Sequence, residues 1–393
     1  MSSSWQDVRV VLMAGGRGER FWPRSTEWMP KQFLRVDGDR SLLRRTFDRA
    51  LDLVPPAAIY VVTNRRYASL VRQELPSLPE ENLILEPHGR NTAPALGLAA
   101  QHLEPGAVMI AMPSDHHIVG RARFRVTLEA AVQAARHDFL VTIGIPPTRP
   151  ETGYGYIQLG PELDAGALLP LYRVNRFTEK PDRGTAERYL QSGEYAWNSG
   201  ILVARVGLLW QEIGRHLPEV CEALEEIRRA SPEWPALSES AAERFAGMPS
   251  ISIDKGVLER SDRVAVVPGH FGWNDLGDWA ALSRLLPLDE KGNAVIGEVL
   301  LQDAERVVVH GSERLVVALG VSDLIIVDTP HVLLVCARDQ AQEVRHVARI
   351  GSAIAQALQA AGDSHGDGSG GVRRREEDQT GKQEGRGGSV CFP

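Results

Sequence analysis

The chain has 393 residues, of which 43% are hydrophobic and 24% charged, as in ordinary soluble globular proteins with two or three domains. Its formal net charge of −7 argues against a general nucleic-acid-binding protein, because such proteins carry a basic face. Cys221, Cys336 and Cys391 follow no metal-ligand spacing, and no signal peptide or membrane-spanning run is present, so we expect a cytoplasmic protein without a zinc site, disulfide framework or membrane partner.

The first predicted element is a buried strand at Val8–Met13, an apolar run near the start of the chain. The glycines and cations that follow this strand are Gly15, Gly16, Gly18, Arg17, Arg20 and Lys31. Glycines let the backbone turn tightly and present its N–H groups to an anion, and arginines stay charged at any working pH. This combination predicts a polyphosphate site.

The spacing of the glycines excludes two common phosphate-binding motifs. No Lys-Ser or Lys-Thr follows them, as a P-loop requires, and Phe21 stands where the dinucleotide fingerprint needs its third glycine. On the glycines alone, a plain turn after a strand stays an alternative. The whole string at 12–33 is more specific, since it resembles the signature loop of the sugar-nucleotide pyrophosphorylases. Its Pro-Lys-Gln-Phe ending resembles the mannose-1-phosphate guanylyltransferase branch of that family.

Strands and helices alternate after this loop. Helices are predicted at 41–53, with Ser41 as the cap, and at 67–75, and strands at 59–63 and 83–85. This alternation is typical of an α/β protein with a parallel, doubly wound sheet. Ligands of such sheets bind beyond the carboxyl ends of the strands, where the glycine loop would lie.

The third strand leads into the string Glu-Pro-His-Gly-Arg-Asn-Thr-Ala-Pro-Ala at 86–95 and a predicted small-residue helix at 95–101. Its Pro, Gly and Asn fit a plain strand-to-helix connection. The alternative is a site, because Asn91 and Thr92 place hydrogen-bonding groups at a helix start, where a nucleotide can be held. The string resembles the loop that helps enclose the base in the guanylyltransferase branch, which favours the site.

A fourth strand, predicted at 108–112, ends in Pro-Ser-Asp-His-His. A lone Asp115 there could simply cap the next turn. However, carboxylates suit hard divalent cations, and a nucleoside triphosphate arrives with Mg²⁺. The resemblance implies that Asp115 is a metal ligand, whereas His116 and His117 are interpreted as structural.

A helix at 124–136 and a strand at 140–145 precede a second group of motifs. These are Thr-Gly-Tyr-Gly-Tyr-Ile at 152–157, Thr-Glu-Lys-Pro at 178–181 after a strand at 174–177, and Trp-Asn-Ser-Gly at 197–200 before an apolar stretch at 201–204. Each is ordinary alone, but together and in this order they resemble the family's sugar-phosphate half-site. The implied contact residues are Gly153, Glu179, Lys180, Asn198 and Gly200.

Helical patterns follow at 208–229 and, broken by prolines, at 231–247. The segment 251–259 resembles one beside the family's sugar pocket, but Lys255 and Gly256 replace the aromatic and small residues more common there, so its role stays open. After a strand at 264–267, the string at 273–279 matches the family pattern W-x-D-x-G-x-W. The match implies that Asp275 is the second metal ligand, with Asp278 where a small polar residue is common.

From about residue 293, short apolar runs recur at the 8–12-residue spacing of an all-β unit. They lie at 295–301, 307–309, 315–319, 324–327 and 332–335, and a final helix is predicted at 340–360. This unit resembles the family's C-terminal left-handed β-helix, with His331 where the family often has Asp.

We therefore expect a Rossmann-like nucleotidyltransferase domain with a mostly parallel sheet at 1–288 and a small β-helical domain at 289–361. The segment 362–393 is too poor in aliphatic residues to fold and is expected to be disordered. It also leaves no room for the isomerase domain that some long relatives carry.

The resemblance further implies which residues bind the nucleotide: Leu12, Ala14, Gly15, Gly16, Gly18, Arg20, Lys31, Asn91, Thr92, Ser114 and Asp115. It implies Arg20, Lys31 and Lys180 as catalytic residues. The implied reaction joins GTP and mannose 1-phosphate, with Mg²⁺ as cofactor, to give GDP-mannose and pyrophosphate.

Three alternatives stay open: UTP or dTTP with glucose 1-phosphate, a non-catalytic nucleotide-sugar-sensing subunit, and a dinucleotide-dependent oxidoreductase. The sensing subunit would be expected to have lost a cation or metal carboxylate that this chain keeps. The sequence leaves the oligomeric state open, with a homodimer as one option.

Overall fold

The computed structural model describes residues 5–363 except 37, 165, 167 and 232–237, with side chains described up to residue 354. The predicted disorder of the tail, Cys391 and the centre of the 231–247 pattern lie outside the described residues. Among the described residues, Cys221 and Cys336 are free thiols.

The larger part of the chain is built around one nine-stranded sheet. Its strands and those of a small ribbon beside it are β1 (Val8–Met13), β2 (Ile59–Asn64), β3 (Leu83–Glu86), β4 (Val108–Pro113), β5 (His117–Ile118), β6 (Leu140–Ile145), β7 (Gly155–Leu163), β8 (Leu171–Glu179), β9 (Tyr195–Arg205), β10 (Val264–Pro268) and β11 (Trp273–Asn274). The sheet order is β3-β2-β1-β4-β9-β6-β10-β8-β7, and β5 pairs with β11 as a separate ribbon.

The sheet is parallel on one side and mixed on the other. Strands β1 to β4 pair only in parallel within that group, whereas β9 runs antiparallel to β4, β6 and β7. The α/β class is therefore confirmed, and the second half of the sheet differs from a purely parallel one. The carboxyl ends of β1 and β4 lie side by side, because Met13 is in register with Pro113. The glycine loop and the Ser114–Asp115 turn thus leave the sheet at the same edge.

Helices cover both faces of this sheet: α1 (Leu42–Leu51), α2 (Ala68–Glu74), α3 (Thr92–Ala100), α4 (Arg121–Ala135), α5 (Arg183–Ser192), α6 (Val206–His216), α7 (Pro218–Ala230) and α8 (Glu239–Ala246). The short helix α9 (Trp279–Ser283) packs instead with Phe21, Trp22 and Val308. The alternation of β1 side chains explains why two cores form. Val10 and Leu12 pack with α1 and α4 on one face, while Val11 packs with α3, α6 and α7 on the other. Ser41 caps α1 as predicted, since its hydroxyl accepts from the Arg44 N–H.

Two predicted elements are wrong in detail. The helix predicted at 208–229 is two helices, because Pro218 has no N–H to continue α6 and instead begins α7. The strand predicted at 295–301 is split where Gly297 adopts a positive φ of 95°. In addition, α3 begins at Thr92, ahead of the predicted start at Ala95.

The C-terminal unit stacks short strands in parallel, as a β-helix does. Its strands are β12 (Ala294–Ile296), β13 (Val299–Gln302), β14 (Val308–His310), β15 (Val316–Leu319), β16 (Leu324–Asp328) and β17 (Leu333–Ala337). Strands β12, β14 and β16 form one parallel stack, β13 and β15 a second, and β17 closes the first stack antiparallel to β16. The predicted β-helical domain is thereby confirmed.

The final helix, α10 (Val344–Asp363), packs back onto the glycine loop. Val344 and Ala348 share a buried cluster with Phe21, Trp22 and residues of the β-helix. The C-terminal unit therefore contacts the loop on which the predicted site depends. No helix in the described ranges has both the length and the apolar character needed to cross a membrane.

Candidate active site

The glycine loop holds Lys31 in a fixed position. Gly18 has a φ of 65°, and a Cβ there would lie 2.2 Å from the Cβ of Lys31, so only glycine fits. Gly15, Gly16 and Arg17 are exposed, while the Lys31 side chain is 7% exposed. The loop thus packs against a buried lysine and leaves its first residues open to a ligand.

Lys31 joins the two aspartates that the sequence predicts as metal ligands. Its Nζ donates to Asp115 Oδ2 at 2.8 Å and to the main-chain carbonyl of Asp275 at 2.6 Å. Burial would raise the pKa of Asp115, but the Lys31 ammonium and the nearby His116 hold it below the usual value. Two aspartates that are far apart in sequence therefore meet at one buried cation.

A cavity of about 440 Å³, here called the arginine cavity, opens over this cluster. It is lined by Arg17, Gly18, Glu19, Arg20, Lys31, Asp115, His116, Asp275, Gly277 and Arg345. Most predicted cations and both predicted metal ligands thus face one space. Arg345 comes from α10, and no motif in the sequence indicated that this residue would be here.

A second cavity of about 260 Å³, here called the glycine cavity, lies on the other side of Asp115. It is lined by Met13, Gly15, Gly16, Gln32, Val62, Glu86, Gly89, Asn91, Thr92, Ala95, Pro113, Ser114 and Asp115. The predicted nucleotide residues Gly15, Gly16, Asn91, Thr92, Ser114 and Asp115 are thereby brought together.

Asn91 shapes the start of α3 at this cavity. Its φ of 71° is unusual for a residue with a side chain, and its Oδ1 accepts from the Thr92 N–H at 2.9 Å. The Thr92 hydroxyl accepts from the Ile253 N–H at 2.8 Å. The segment 251–259, whose role the sequence left open, therefore stabilises the start of α3 through this hydrogen bond.

Glu86, at the end of β3, is the residue that sequence reasoning missed on this side. It is 3% exposed and lines the glycine cavity, and its Oε1 has no hydrogen-bond partner among the described residues. Burial raises its pKa to about 8. A buried carboxylate without a cation or donor is costly unless a ligand supplies one, so Glu86 is suited to recognise a ligand that presents hydrogen-bond donors.

Leu12 and Ala14 are placed differently from the other predicted nucleotide residues. Both side chains are buried, and neither residue is part of the lining of the two cavities. The Ala14 carbonyl accepts from Gln32 Nε2 at 2.7 Å and from the Thr63 hydroxyl at 2.8 Å. Ala14 thus anchors the loop to the sheet rather than facing the cavity.

The predicted sugar residue Asn198 has a fixed amide orientation. Its Oδ1 accepts from the Thr142 hydroxyl at 2.7 Å and from the Gly200 N–H at 3.2 Å, while its Nδ2 donates to Asp254 Oδ1 at 2.8 Å. Since a carboxylate only accepts and an N–H only donates, the amide cannot flip. One Nδ2 hydrogen is left for a ligand.

Tyr154 connects the sugar half-site to the second aspartate. Its hydroxyl donates to Asp275 Oδ1, and its main-chain carbonyl accepts from the Lys180 N–H at 3.1 Å. Lys180 Nζ lies 2.9 Å from Glu179 Oε1. The Gly153 N–H donates to Glu151 Oε1 at 3.2 Å. Gly153, Glu179 and Lys180 therefore lie together, and Tyr154 links them to the arginine cavity. Asn198 lies beside them, because a Cβ on Gly155 would be 2.7 Å from Glu179 Oε2 and 3.3 Å from Asn198 Cβ.

A glycine loop after the first strand of an α/β sheet, with cations and carboxylates on one cavity, defines a nucleotide-binding protein of the doubly wound class. The chain belongs to the nucleotidyl transferase family, whose model matches residues 9–292. A second model, the MannoseP isomerase/GMP-like beta-helix domain, matches residues 297–349. The predicted boundary between the domains at 288 and 289 stays a prediction.

Proteins of known name support this membership. The chain is 40% identical over 342 residues to the mannose-1-phosphate guanylyltransferase of Klebsiella pneumoniae, covering 85% of this chain and 72% of that protein. It is 38% identical over 346 residues to the xanthan biosynthesis protein XanB of Xanthomonas campestris, and the match covers 87% of this chain and 72% of that protein. A solved structure titled mannose-1-phosphate geranyltransferase, from Thermus thermophilus, matches with a TM-score of 0.79 and 37% identity, covering 88% of this chain and 100% of that one. The resemblance to the guanylyltransferase branch is therefore confirmed, and the protein is a nucleotidyltransferase.

Proposed function

We propose that the protein transfers GMP from GTP to mannose 1-phosphate, giving GDP-mannose and pyrophosphate. The names of the relatives from Klebsiella pneumoniae and Escherichia coli, at 40% and 39% identity, support this choice of substrates. The cavities described above give it a physical basis.

Glu86 is the observation that favours guanine. Guanine presents two adjacent donors, the ring N1–H and the exocyclic amine, and a carboxylate accepts both. Uracil and thymine present one N–H between two carbonyls, so a carboxylate would face a carbonyl oxygen. A site built to receive two donors therefore discriminates against these bases.

The proposed reaction is an in-line displacement. A phosphate oxygen of the sugar phosphate forms a bond to the α-phosphorus of GTP, while the bond from that phosphorus to the bridging oxygen of the β-phosphate breaks. The electron pair of the broken bond leaves with pyrophosphate. Because the attacking oxygen is already anionic, no general base is required, and positioning with charge stabilisation accounts for the catalysis.

The chain offers cations for each phosphate group. Arg20 and Lys31, with the N–H groups of the glycine loop, would hold the triphosphate and the leaving pyrophosphate. Lys180, next to the sugar residues Glu179 and Asn198, would orient the attacking phosphate. The buried position of Lys31 supports a role that needs a fixed charge.

The residues at the arginine cavity fit Mg²⁺. Asp115 and Asp275 supply the oxygen ligands that Mg²⁺ prefers, and Asp275 Oδ2 accepts no hydrogen bond from the described residues. Among the described residues, no group of three or more His, Cys, Asp or Glu side chains is placed to hold a metal ion by itself. Two carboxylates with phosphate oxygens and water are a common mode for this ion. When bound, Mg²⁺ would screen the two anionic substrates from each other.

A substrate panel tests the proposal. Pyrophosphate release would be measured with Mg²⁺ for GTP, ATP, UTP and dTTP against mannose 1-phosphate and glucose 1-phosphate. We expect GTP with mannose 1-phosphate to have the highest kcat/KM. A hundredfold preference for UTP or dTTP with glucose 1-phosphate would show that the branch does not determine the specificity here.

A further inference from the structure

Three arginines from two distant parts of the chain line the arginine cavity without partners among the described residues. Arg17 and Arg20 lie on the glycine loop and Arg345 on α10, and all three line the cavity. Throughout the described ranges their side chains make no hydrogen bond or ion pair, although many other arginines of this protein pair with a carboxylate. Like charges repel one another when they share one space, so their common position calls for an anion between them.

The place of Arg345 is fixed by the packing of α10, not by chance exposure. A Cβ on Gly351 would lie 2.4 Å from Cζ2 of Trp22, so the helix approaches the glycine loop as closely as a glycine permits. Gln342, just before the helix, donates to Asp278 Oδ2, and Val344 and Ala348 are buried against Phe21 and Trp22. Arg345 is therefore carried on a helix that is held at both the loop and the Asp275 segment.

The charge balance of the cavity indicates what kind of anion fits. Its lining has four cations and three carboxylates, and Lys31 is engaged with Asp115. Two of those carboxylates are the proposed ligands of a divalent ion, which would leave the cavity strongly positive. A polyanion with several oxygens is needed to balance that charge, and arginine forks bind phosphate oxygens in pairs.

We propose that Arg345 binds the pyrophosphate group, so that the C-terminal helix completes the active site of the N-terminal domain. Arg345 contacts the β- and γ-phosphates of the bound triphosphate and the pyrophosphate that leaves. It stabilises the leaving group as the bond to the α-phosphorus breaks. The β-helical unit thereby becomes part of the site and not only an appended domain. This inference rests on the proposed function only in requiring that pyrophosphate is the product.

The test compares two arginines of the same helix. Both arginines are exposed, but only Arg345 lines the arginine cavity, whereas Arg349 lies one turn later outside its lining. Arg345→Gln and Arg349→Gln therefore remove the same charge from inside and from outside the cavity. Binding of inorganic pyrophosphate with Mg²⁺ would be measured by calorimetry, and its KM would be measured in the reverse reaction with GDP-mannose. We expect Arg345→Gln to weaken pyrophosphate binding about tenfold or more and Arg349→Gln to change it less than about twofold. Arg345→Lys should recover part of the loss.

Equal pyrophosphate affinity in the two glutamine variants, at unchanged melting temperature, would overturn the inference. In the reverse reaction pyrophosphate attacks the α-phosphorus of GDP-mannose, and mannose 1-phosphate leaves. GDP-mannose has no phosphates at the positions that Arg345 contacts, so its KM should stay within about twofold in Arg345→Gln. A rise of that KM equal to the rise for pyrophosphate would also contradict the assignment. The calorimetric result does not depend on the choice of nucleotide or sugar. If a different substrate pair proves correct, the proposed function fails while the difference between the two variants still decides the role of Arg345.

Discussion

The carboxyl of Glu86 should determine which base the protein accepts. Glu86→Gln is nearly isosteric and replaces one acceptor oxygen by an NH₂ donor at a buried position. The amide can still accept from guanine N1–H, but its NH₂ group then faces the exocyclic amine of guanine, donor against donor. The same amide matches the N–H and carbonyl edge of uracil.

The expected size of this effect follows from the lost hydrogen bond. A hydrogen bond to a charged group contributes about 1.5–3 kcal/mol net, and the opposed donors add to the loss. We therefore expect Glu86→Gln to lower kcat/KM for GTP by about 10- to 150-fold, while kcat/KM for UTP changes less than about threefold.

The raised pKa of Glu86 adds a pH dependence with a defined sign. Burial raises this pKa to about 8, so below pH 8 the free protein holds the neutral acid. Binding of the two guanine donors favours the carboxylate, and GTP binding therefore releases a proton. The affinity for GTP should consequently fall as the pH falls, by about 20-fold between pH 8.5 and pH 6.5. The affinity for UTP, with the same phosphates, should lack this component.

Pyrophosphate release with GTP and with UTP at pH 6.5, 7.5 and 8.5 measures both effects. Glu212→Gln is the matched control, because Glu212 is a buried glutamate on α6 outside the linings of both cavities. We expect the GTP-to-UTP ratio to rise with pH in the wild type and in Glu212→Gln, and to be low and flat in Glu86→Gln. An unchanged ratio in a folded Glu86→Gln protein would refute the role of Glu86 in base selection.

Three further predictions concern the metal, the sugar and the acid stability. Asp275→Asn should lower kcat by about 10²–10³, with partial rescue at high Mg²⁺. A lower melting temperature with unchanged kcat would contradict the ligand role of Asp275. Asp254→Ala should raise KM for mannose 1-phosphate with little change for GTP, because it frees the amide that Asp254 orients, and an equal rise for both substrates would count against this. Burial and Arg24 lower the pKa of His310 to about 4, so protonation favours the unfolded chain, and stability should fall by up to about 3 kcal/mol as the pH drops from 6.5 to 4. Urea titrations at these pH values should show that the free energy of unfolding falls less with pH in His310→Gln than in the wild type. The same fall in both proteins would exclude this histidine as the cause.

Local strings explain why much of the site could be predicted. Gly18 and Lys31 lie within one loop, and the loop follows a strand whose apolar run is unmistakable in the sequence. Asp115 follows a buried strand directly, so the topology of the sheet brings it to the edge where the loop lies. In each case a short segment sets both the residue type and its place in the fold.

The residues that were missed depend on packing between distant segments. The isolation of Glu86 from any cation is decided by how β3, the glycine loop and α3 close around it, and a sequence shows only a glutamate at a strand end. Arg345 is far from Arg20 in sequence, and its place depends on the close contact between Gly351 and Trp22. The orientation of the Asn198 amide requires Thr142 and Asp254 together, neither of which stands out locally.

Two carboxyls of the same cavity, the buried Glu86 and the partly buried Asp115, show how one neighbouring cation separates their properties. Glu86 and Asp115 both line the glycine cavity, and burial opposes the charged form of each. Lys31 Nζ lies 2.8 Å from Asp115 Oδ2 and outweighs burial there, so Asp115 stays ionised at working pH and is ready to bind a cation. Glu86 has no such neighbour among the residues that the structure describes, so below pH 8 a ligand that brings donors is needed to favour its ionised form. Under the proposed function, these opposite environments would give different tasks to two groups of the same chemistry: Asp115 would serve the metal and the phosphates, and Glu86 the base.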